Sequence, residues 1–298
     1  MVDMPSSSAL VLRCPVCRSP LDRADDAGRS VPGKVLVCAA GHSFDAARQG
    51  YFNLLVGKGT AFEADTPDMV AARVGFLESG HYRPLADAVA AAVVPFLPLE
   101  AATVLDSGTG TGHYLRVLLD TASADGVPVT AIGLDISKFA LRRAARLNPE
   151  ATNLVCDVWQ PLPVGDNSID VVTVIFAPRN ASEFARVLRT GGRVVVVTPR
   201  AGHLAAIAER TGMLGIEAGK DDRLADAMSA QFTIESVRDL DLPMLLEPRE
   251  VADLAYMGPA GHHLDRGALA DRLAGLEART AVDARFRLTV FRLAGPAR

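Results

Sequence analysis

The chain has 298 residues, of which 49% are apolar and 22% charged, with a net charge of −4, an isoelectric point near 5.9 and a mean hydropathy of +0.19. This composition excludes a chain too polar to bury a core, and its acidic balance argues against the broad basic face that nucleic-acid binding usually leaves. The longest apolar run, Ala88 to Leu99, is too short to cross a bilayer, and the N-terminus has neither the basic start nor the apolar stretch of a secretory signal, so a cytoplasmic protein with no membrane contact is expected.

Between Arg13 and Asp45 the chain places three of its four cysteines and one histidine in a polar, Gly- and Pro-bearing stretch with too few large apolar side chains to fold by burial alone. Cys14 and Cys17 form a C-x-x-C knuckle, and Cys38 and His42 form a second pair around a glycine. Disulfides are the alternative, but three cysteines cannot all pair. No βαβ pattern surrounds the knuckle, which weakens a redox reading, and the two pairs suit one closed tetrahedral zinc. Cys156 stands apart and reads as a small buried hydrophobe. After the finger, Arg48 to Leu55 ends in apolar residues suited to docking it on its neighbour, and Val56 to Met69 reads as a hinge.

Thr66 as N-cap and Pro67 at the first helical position predict a helix running to Gly80, with a second from Pro84 to Phe96. From Ala102 the pattern alternates strands with helices. Strands are predicted at Thr103–Thr109, Val129–Ser137, Asn153–Val158, Ile169–Ala177 and Gly192–Pro199. Helices are predicted at Ser137–Asn148 and at Asn180–Gly192, the latter with Asn180 as cap and glycine as stop. Two further strands, in FTIESVRDLDL and RFRLTVFRLAG, finish the sheet's edge. The fold class is α/β, a doubly wound sheet preceded by a small zinc-binding domain, divided into residues 1–55, a linker with helices at 56–100, and a nucleotide-binding domain at 101–298.

The stretch VLDSGTGTG sets Gly108, Gly110 and Gly112 directly after the first strand of that sheet. The spacing lacks the third glycine of a dinucleotide fingerprint. Asp106, just before the glycines, would repel a diphosphate and attract an ammonium group. Asp135 ends the second strand, where an acid can hold both ribose hydroxyls, and Asp157 follows the third, where it can meet an adenine amine. A ligand with a cationic amino-acid end and an adenosine end fits, and S-adenosylmethionine has that form. Each acid also has a plainer reading, as a strand-end cap or turn residue.

These motifs resemble the class I methyltransferases. With CPVC, CAAGHSFDAARQGYFNLL, FLESGHYRPL, LRTGG and TPRAGHL, nearly the whole chain resembles the bacterial 23S ribosomal RNA (guanine-N1)-methyltransferases. The resemblance implies a zinc finger that helps hold a ribosomal RNA hairpin in domain II, methylation of guanine N1, a homodimer, and a branch linked to macrolide (tylosin-type) resistance. It also implies that Tyr82 and His203 line the S-adenosylmethionine site together with Gly110 and Thr111. Without it, Tyr82 reads as a core aromatic between helices and His203 as a surface residue. The chain departs from the family in carrying Thr109 where the glycine loop usually has Cys, and in YMGPAGHHL.

Guanine N1 carries a proton that a base must accept, and no residue declares itself for that task. Phe176 could stack the base or belong to the core, and Asn180 could bind the guanine edge or simply cap a helix. Arg13, Arg18, Arg23, Arg29, Lys34, Arg48, Lys58 and Arg73 could line a basic groove between the modules or a solvated mixed face. Charge reversal at Arg48 and Arg73 is expected to impair RNA methylation without touching cofactor affinity. The rivals are a small-molecule methyltransferase, which leaves the finger unexplained, and a zinc protein that senses S-adenosylmethionine without catalysis.

Overall fold

The computed structural model describes residues 12–23, 34–57, 59–213, 220–275 and 277–294. Its first unit is a four-stranded antiparallel ribbon of β1 (Leu12–Arg13), β2 (Pro20–Arg23), β3 (Val35–Cys38) and β4 (Ser43–Asp45). Leu12, Leu21 and Leu36 are buried and belong to the same apolar cluster as Leu162 and Val164 of the larger unit. The ribbon is therefore packed on its neighbour, not tethered beside it. Next, β5 (Phe52–Asn53) leaves the ribbon to join the large sheet.

Thr66 caps α1 (Pro67–Glu78), its side chain accepting the Met69 N–H, and proline opens the helix as the sequence predicts. The following α2 (Arg83–Val93) tightens into a 3-10 turn at Val94–Phe96. The alternating part then runs β6 (Ala102–Ser107), α3 (His113–Ala124), β7 (Val129–Asp135), α4 (Lys138–Leu147), β8 (Thr152–Val155), β9 (Ile169–Ile175), α5 (Ala181–Val187) and β10 (Leu188–Pro199). It closes with α6 (Ala205–Thr211), α7 (Lys220–Ser229), β11 (Phe232–Leu246), α8 (Pro248–Tyr256), α9 (Arg266–Leu273) and β12 (Thr280–Leu293).

The large sheet has eight strands in the order β11-β12-β10-β9-β6-β7-β8-β5. Strands β5 to β10 run parallel, and β12 inserts antiparallel between β10 and β11. The strand order reverses at β6, so the turns leaving β6 and β7 open into the crevice where such sheets take ligands. One apolar cluster fills the face carrying α2, α3 and α8, a second fills the face shared with the ribbon, and a small third gathers Tyr51, Leu141, Ala144, Ala145 and Val155.

The helix predicted to run to Gly192 stops at Val187. Leu188 pairs with Ile169, and an irregular stretch follows before the ladder resumes at Arg193, so strand pairing claims residues that helical spacing had suggested for α5. The two last strands are 15 and 14 residues long, longer than the segments read as strands, and only β11 lies at the edge, with β12 inside the sheet. Among the described residues no helix is long and apolar enough to cross a membrane.

Candidate functional site

Two sites can be assembled, one in the ribbon and one at the carboxyl edge of the sheet. In the ribbon, the ligand atoms of Cys14, Cys17, Cys38 and His42 all lie within 4.8 Å of one another. Cys17 Sγ is 3.7 Å from Cys38 Sγ, and His42 Nδ1 is 3.3 Å from Cys38 Sγ and 3.7 Å from Cys14 Sγ. Zinc–thiolate bonds of about 2.3 Å in a tetrahedron give sulfur–sulfur edges of roughly 3.8 Å. The four side chains therefore have the spacing of a closed zinc site, and none of the four cysteines is in a disulfide.

At the sheet edge, the turn after β6 folds back on itself through three left-handed glycines, Gly108, Gly110 and Gly112. A Cβ on Gly108 would stand 2.2 Å from that of Ala177, and one on Gly112 would stand 2.4 Å from Asn148 Nδ2. Close approach as well as positive φ thus demands glycine at both places. Asp135 ties the loop down: Oδ2 accepts the Gly110 N–H at 2.8 Å and Oδ1 accepts the Ser137 N–H at 2.8 Å. Burial pushes its carboxyl up against the effect of these two donors.

Asp106 is 2% exposed, and burial raises its carboxyl to about 6 although Thr173 Oγ1 donates to it at 2.7 Å. The buried Ser107 hydroxyl beside it has no hydrogen-bond partner. Asp157, also buried, accepts the Trp159 N–H at 3.0 Å and the Thr60 hydroxyl at 2.9 Å. The glycine loop with Thr111, Asp135 and Asp157 thus forms one continuous edge. A nucleoside with a cationic tail fits its chemistry: acids for hydroxyls and amines, a bare backbone for close approach, and a buried hydroxyl still to be satisfied.

Tyr82 and His203 come together on the other side of the loop, through a residue the sequence reading passed over. The Phe286 ring lies 5.1 Å from that of Tyr82, 4.8 Å from that of His203 and 5.4 Å from that of Phe176. Phe286 sits in β12, a segment read only as an edge strand, so only the antiparallel insertion reveals its place. Tyr82 is buried, as its core reading predicts, with its ring edge-on to Phe76. His203 is not a surface residue: it is partly buried, its Nδ1 lies 3.0 Å from the Arg285 N–H, and burial lowers its pKa to about 4.

Phe176 is 44% exposed with φ +57°, so it is neither core nor relaxed. Asn180 caps α5, its Oδ1 accepting from the Glu183 N–H and the Ser182 hydroxyl, while Nδ2 donates to the Val158 carbonyl at 2.9 Å.

The basic residues sort differently from the groove expected of them. Arg18 donates to the carbonyls of Pro161 and Leu162, and Arg23 donates to Thr152 while covering the Phe52 ring. These two fasten the ribbon to the larger unit. Arg73 is paired with Asp65, donates to the Met257 carbonyl at 2.7 Å, and lies 3.5 Å from where a Gly110 Cβ would be. It reaches from α1 to the glycine loop, so its charge is placed beside the sheet edge as well as in the region expected to meet RNA. Arg29 and Lys58 lie outside the described residues.

A glycine-turn sheet of this order, with acids ending three successive strands, defines a class I S-adenosylmethionine-dependent methyltransferase, here carrying a zinc ribbon. Residues 12–57 match the zinc-ribbon family described as "RlmA, N-terminal", and residues 104–192 match the family described as "Methyltransferase domain". The chain is 43% identical over 296 residues to the "Putative 23S rRNA (guanine-N(1)-)-methyltransferase" of Micromonospora griseorubida, covering 94% of this chain and 97% of that protein. It is 41% identical over 267 residues to the 23S rRNA (guanine(748)-N(1))-methyltransferase of Streptomyces fradiae, covering 89% and 90%. YxjB of Bacillus subtilis, which bears the same name as the first, is 36% identical over 197 residues, covering 65% and 66%. The chain belongs to the 23S rRNA (guanine-N1)-methyltransferase family.

Proposed function

We propose that this protein transfers the methyl group of S-adenosylmethionine to N1 of one guanine in a 23S rRNA hairpin of domain II. The single observation carrying the reading is the union, in one chain, of a three-thiol, one-imidazole ribbon and the acid-and-glycine edge, a combination matched along almost the full length of the relatives. The 41% identity to the Streptomyces fradiae enzyme for guanine 748 supports the same target and a contribution to macrolide resistance. A cytoplasmic location and a homodimer follow from the same reading, as does the division at residues 55 and 100.

The sulfonium donor supplies an activated methyl carbon; the chain's residues position and select. In this assignment Asp106 holds the amino-acid ammonium and Gly108, Gly110, Thr111 and Gly112 approach the donor with bare backbone. Asp135 takes the ribose hydroxyls, and Asp157 takes the adenine amine. Tyr82 and His203, gathered on Phe286, close the side facing the acceptor. Phe176, exposed at the end of β9, offers its ring to the guanine, which must leave its stack to be reached. The bound donor would give up its methyl carbon as the carbon–sulfur bond breaks, and the N1 proton would pass to a base or to water; burial keeps His203 uncharged at neutral pH.

The test is incubation with tritiated S-adenosylmethionine and 23S RNA fragments, followed by mapping of the labelled nucleotide. Label confined to one guanine N1 is the expected result. Label only in small molecules, or binding without transfer, would overturn it.

A further inference from the structure

The segment that leaves the zinc ribbon does not merely connect it. Residues 60–65 lie along the carboxyl edge of the sheet and are fixed there at three points. Thr60 Oγ1 donates to Asp157 Oδ2 at 2.9 Å, the Asp65 carbonyl accepts the Ser137 hydroxyl at 2.9 Å, and the Asp65 carboxylate pairs with Arg73 over the glycine loop. Between those anchors Phe62 stands 53% exposed, its ring 6.4 Å from that of Trp159, itself 48% exposed, with a 36° tilt. Two large rings left this open beside a buried carboxylate offer stacking faces to a flat ligand. At 6.4 Å and 36° the two rings pair directly with each other, so a base stacked on both faces would have to part them to about 7 Å and turn them parallel.

We propose that this hinge is the outer wall of the nucleoside site: Phe62 and Trp159 clasp the adenine, whose amine takes the place of the Thr60 hydroxyl on Asp157. The proposal rests on the assignment of the sheet edge to S-adenosylmethionine, and adds that the finger's own tether helps to bind it. Occupancy by the cofactor and placement of the ribbon are thereby linked through residues 60–65, and any such linkage acts equally in both directions.

Trp159 is the only tryptophan of the chain, so its emission reports on this clasp alone. The full-length zinc-loaded protein is titrated with S-adenosylhomocysteine, following emission and, in parallel, heat. Binding is expected to quench Trp159, and Phe62→Ala to weaken binding roughly 5- to 100-fold, as loss of one base–ring stack does. Phe62→Tyr, which keeps the ring, is expected to restore it. Because Phe62 is exposed, its replacement leaves the core intact. Heat of binding without any change in emission, together with an unchanged affinity in Phe62→Ala, would overturn the clasp while leaving the cofactor assignment standing. No heat in the unaltered protein would overturn both.

Discussion

The Thr173 hydroxyl holds Asp106 by a 2.7 Å hydrogen bond in a position where neither residue is more than 2% exposed. Burial still wins, raising the carboxyl from 3.8 to about 6. The folded chain therefore keeps a proton that the unfolded chain has lost between those values. The corresponding stability is full below the lower value and disappears as pH rises through the upper one. Binding of a cationic ligand follows the opposite course, because it needs the carboxylate. Calorimetry with S-adenosylmethionine should show affinity rising with pH through about 6 and then levelling. Asp106→Asn should remove that step and cost about 1.5–3 kcal/mol of binding at neutral pH.

Gly108→Ala should destabilise the chain by about 2–5 kcal/mol in denaturant unfolding, combining a strained left-handed backbone with overpacking against Ala177. Gly126→Ala is the control. Its φ of +74° is similar, but a Cβ there meets nothing within 4 Å, so only the backbone cost of about 1–2 kcal/mol should appear.

Arg73→Glu should weaken cofactor binding as well as RNA methylation, because it sets a carboxylate against Asp65 and beside Gly110. Equilibrium binding of S-adenosylhomocysteine checks this. Affinity equal to that of the unaltered protein would return Arg73 to the RNA-contact role read from its charge.

Phe176→Gly should separate stability from activity. Removing a side chain from φ +57° relieves about 1 kcal/mol of strain, offset in part by the unfolded-state entropy of glycine, so stability should change little. RNA methylation should fall at least tenfold, on the order of one lost base stack, with cofactor affinity unchanged. Single-turnover labelling and calorimetry report the two separately.

Chelation of zinc should unfold the ribbon, because Leu12, Leu21 and Leu36 with the Arg18 and Arg23 contacts are too few to order so short a stretch without the metal. Amide exchange should then rise from residue 12 to residue 54 and also along β8, whose Val155 carbonyl accepts the Leu54 N–H at 2.9 Å. Arg18→Ala, which removes the bonds to Pro161 and Leu162, should loosen the ribbon by about 1 kcal/mol without releasing the metal.

The features legible in the sequence were those set by local rules. The paired cysteines, the Thr66–Pro67 helix start and the apolar runs of the central strands all depend on neighbours a few residues away, and the structure places each of them as read. What escaped depends on pairing across long separations. Leu188 abandons helical spacing because Ile169 supplies a ladder partner. Phe286 joins Tyr82 and His203 only because β12 slips in beside β10. Arg18, Arg23 and Arg73 look alike as charges, and only the carbonyls and carboxylates they reach distinguish fasteners from site residues. The carboxyl edge was visible as motifs, but the hinge laid across it was not, since nothing in the order of Thr60, Phe62 and Asp65 states which surface they will cover.

Strand β5 is only two residues long, yet it covers one end of an eight-stranded sheet whose other end is the 15-residue β11. Without it, β8 would present free backbone donors and acceptors to any other chain with the same exposed border. The segment leaving the ribbon therefore covers Leu154 and Val155 of that border. Protein stripped of zinc is expected to precipitate by edge-to-edge stacking before its larger unit melts.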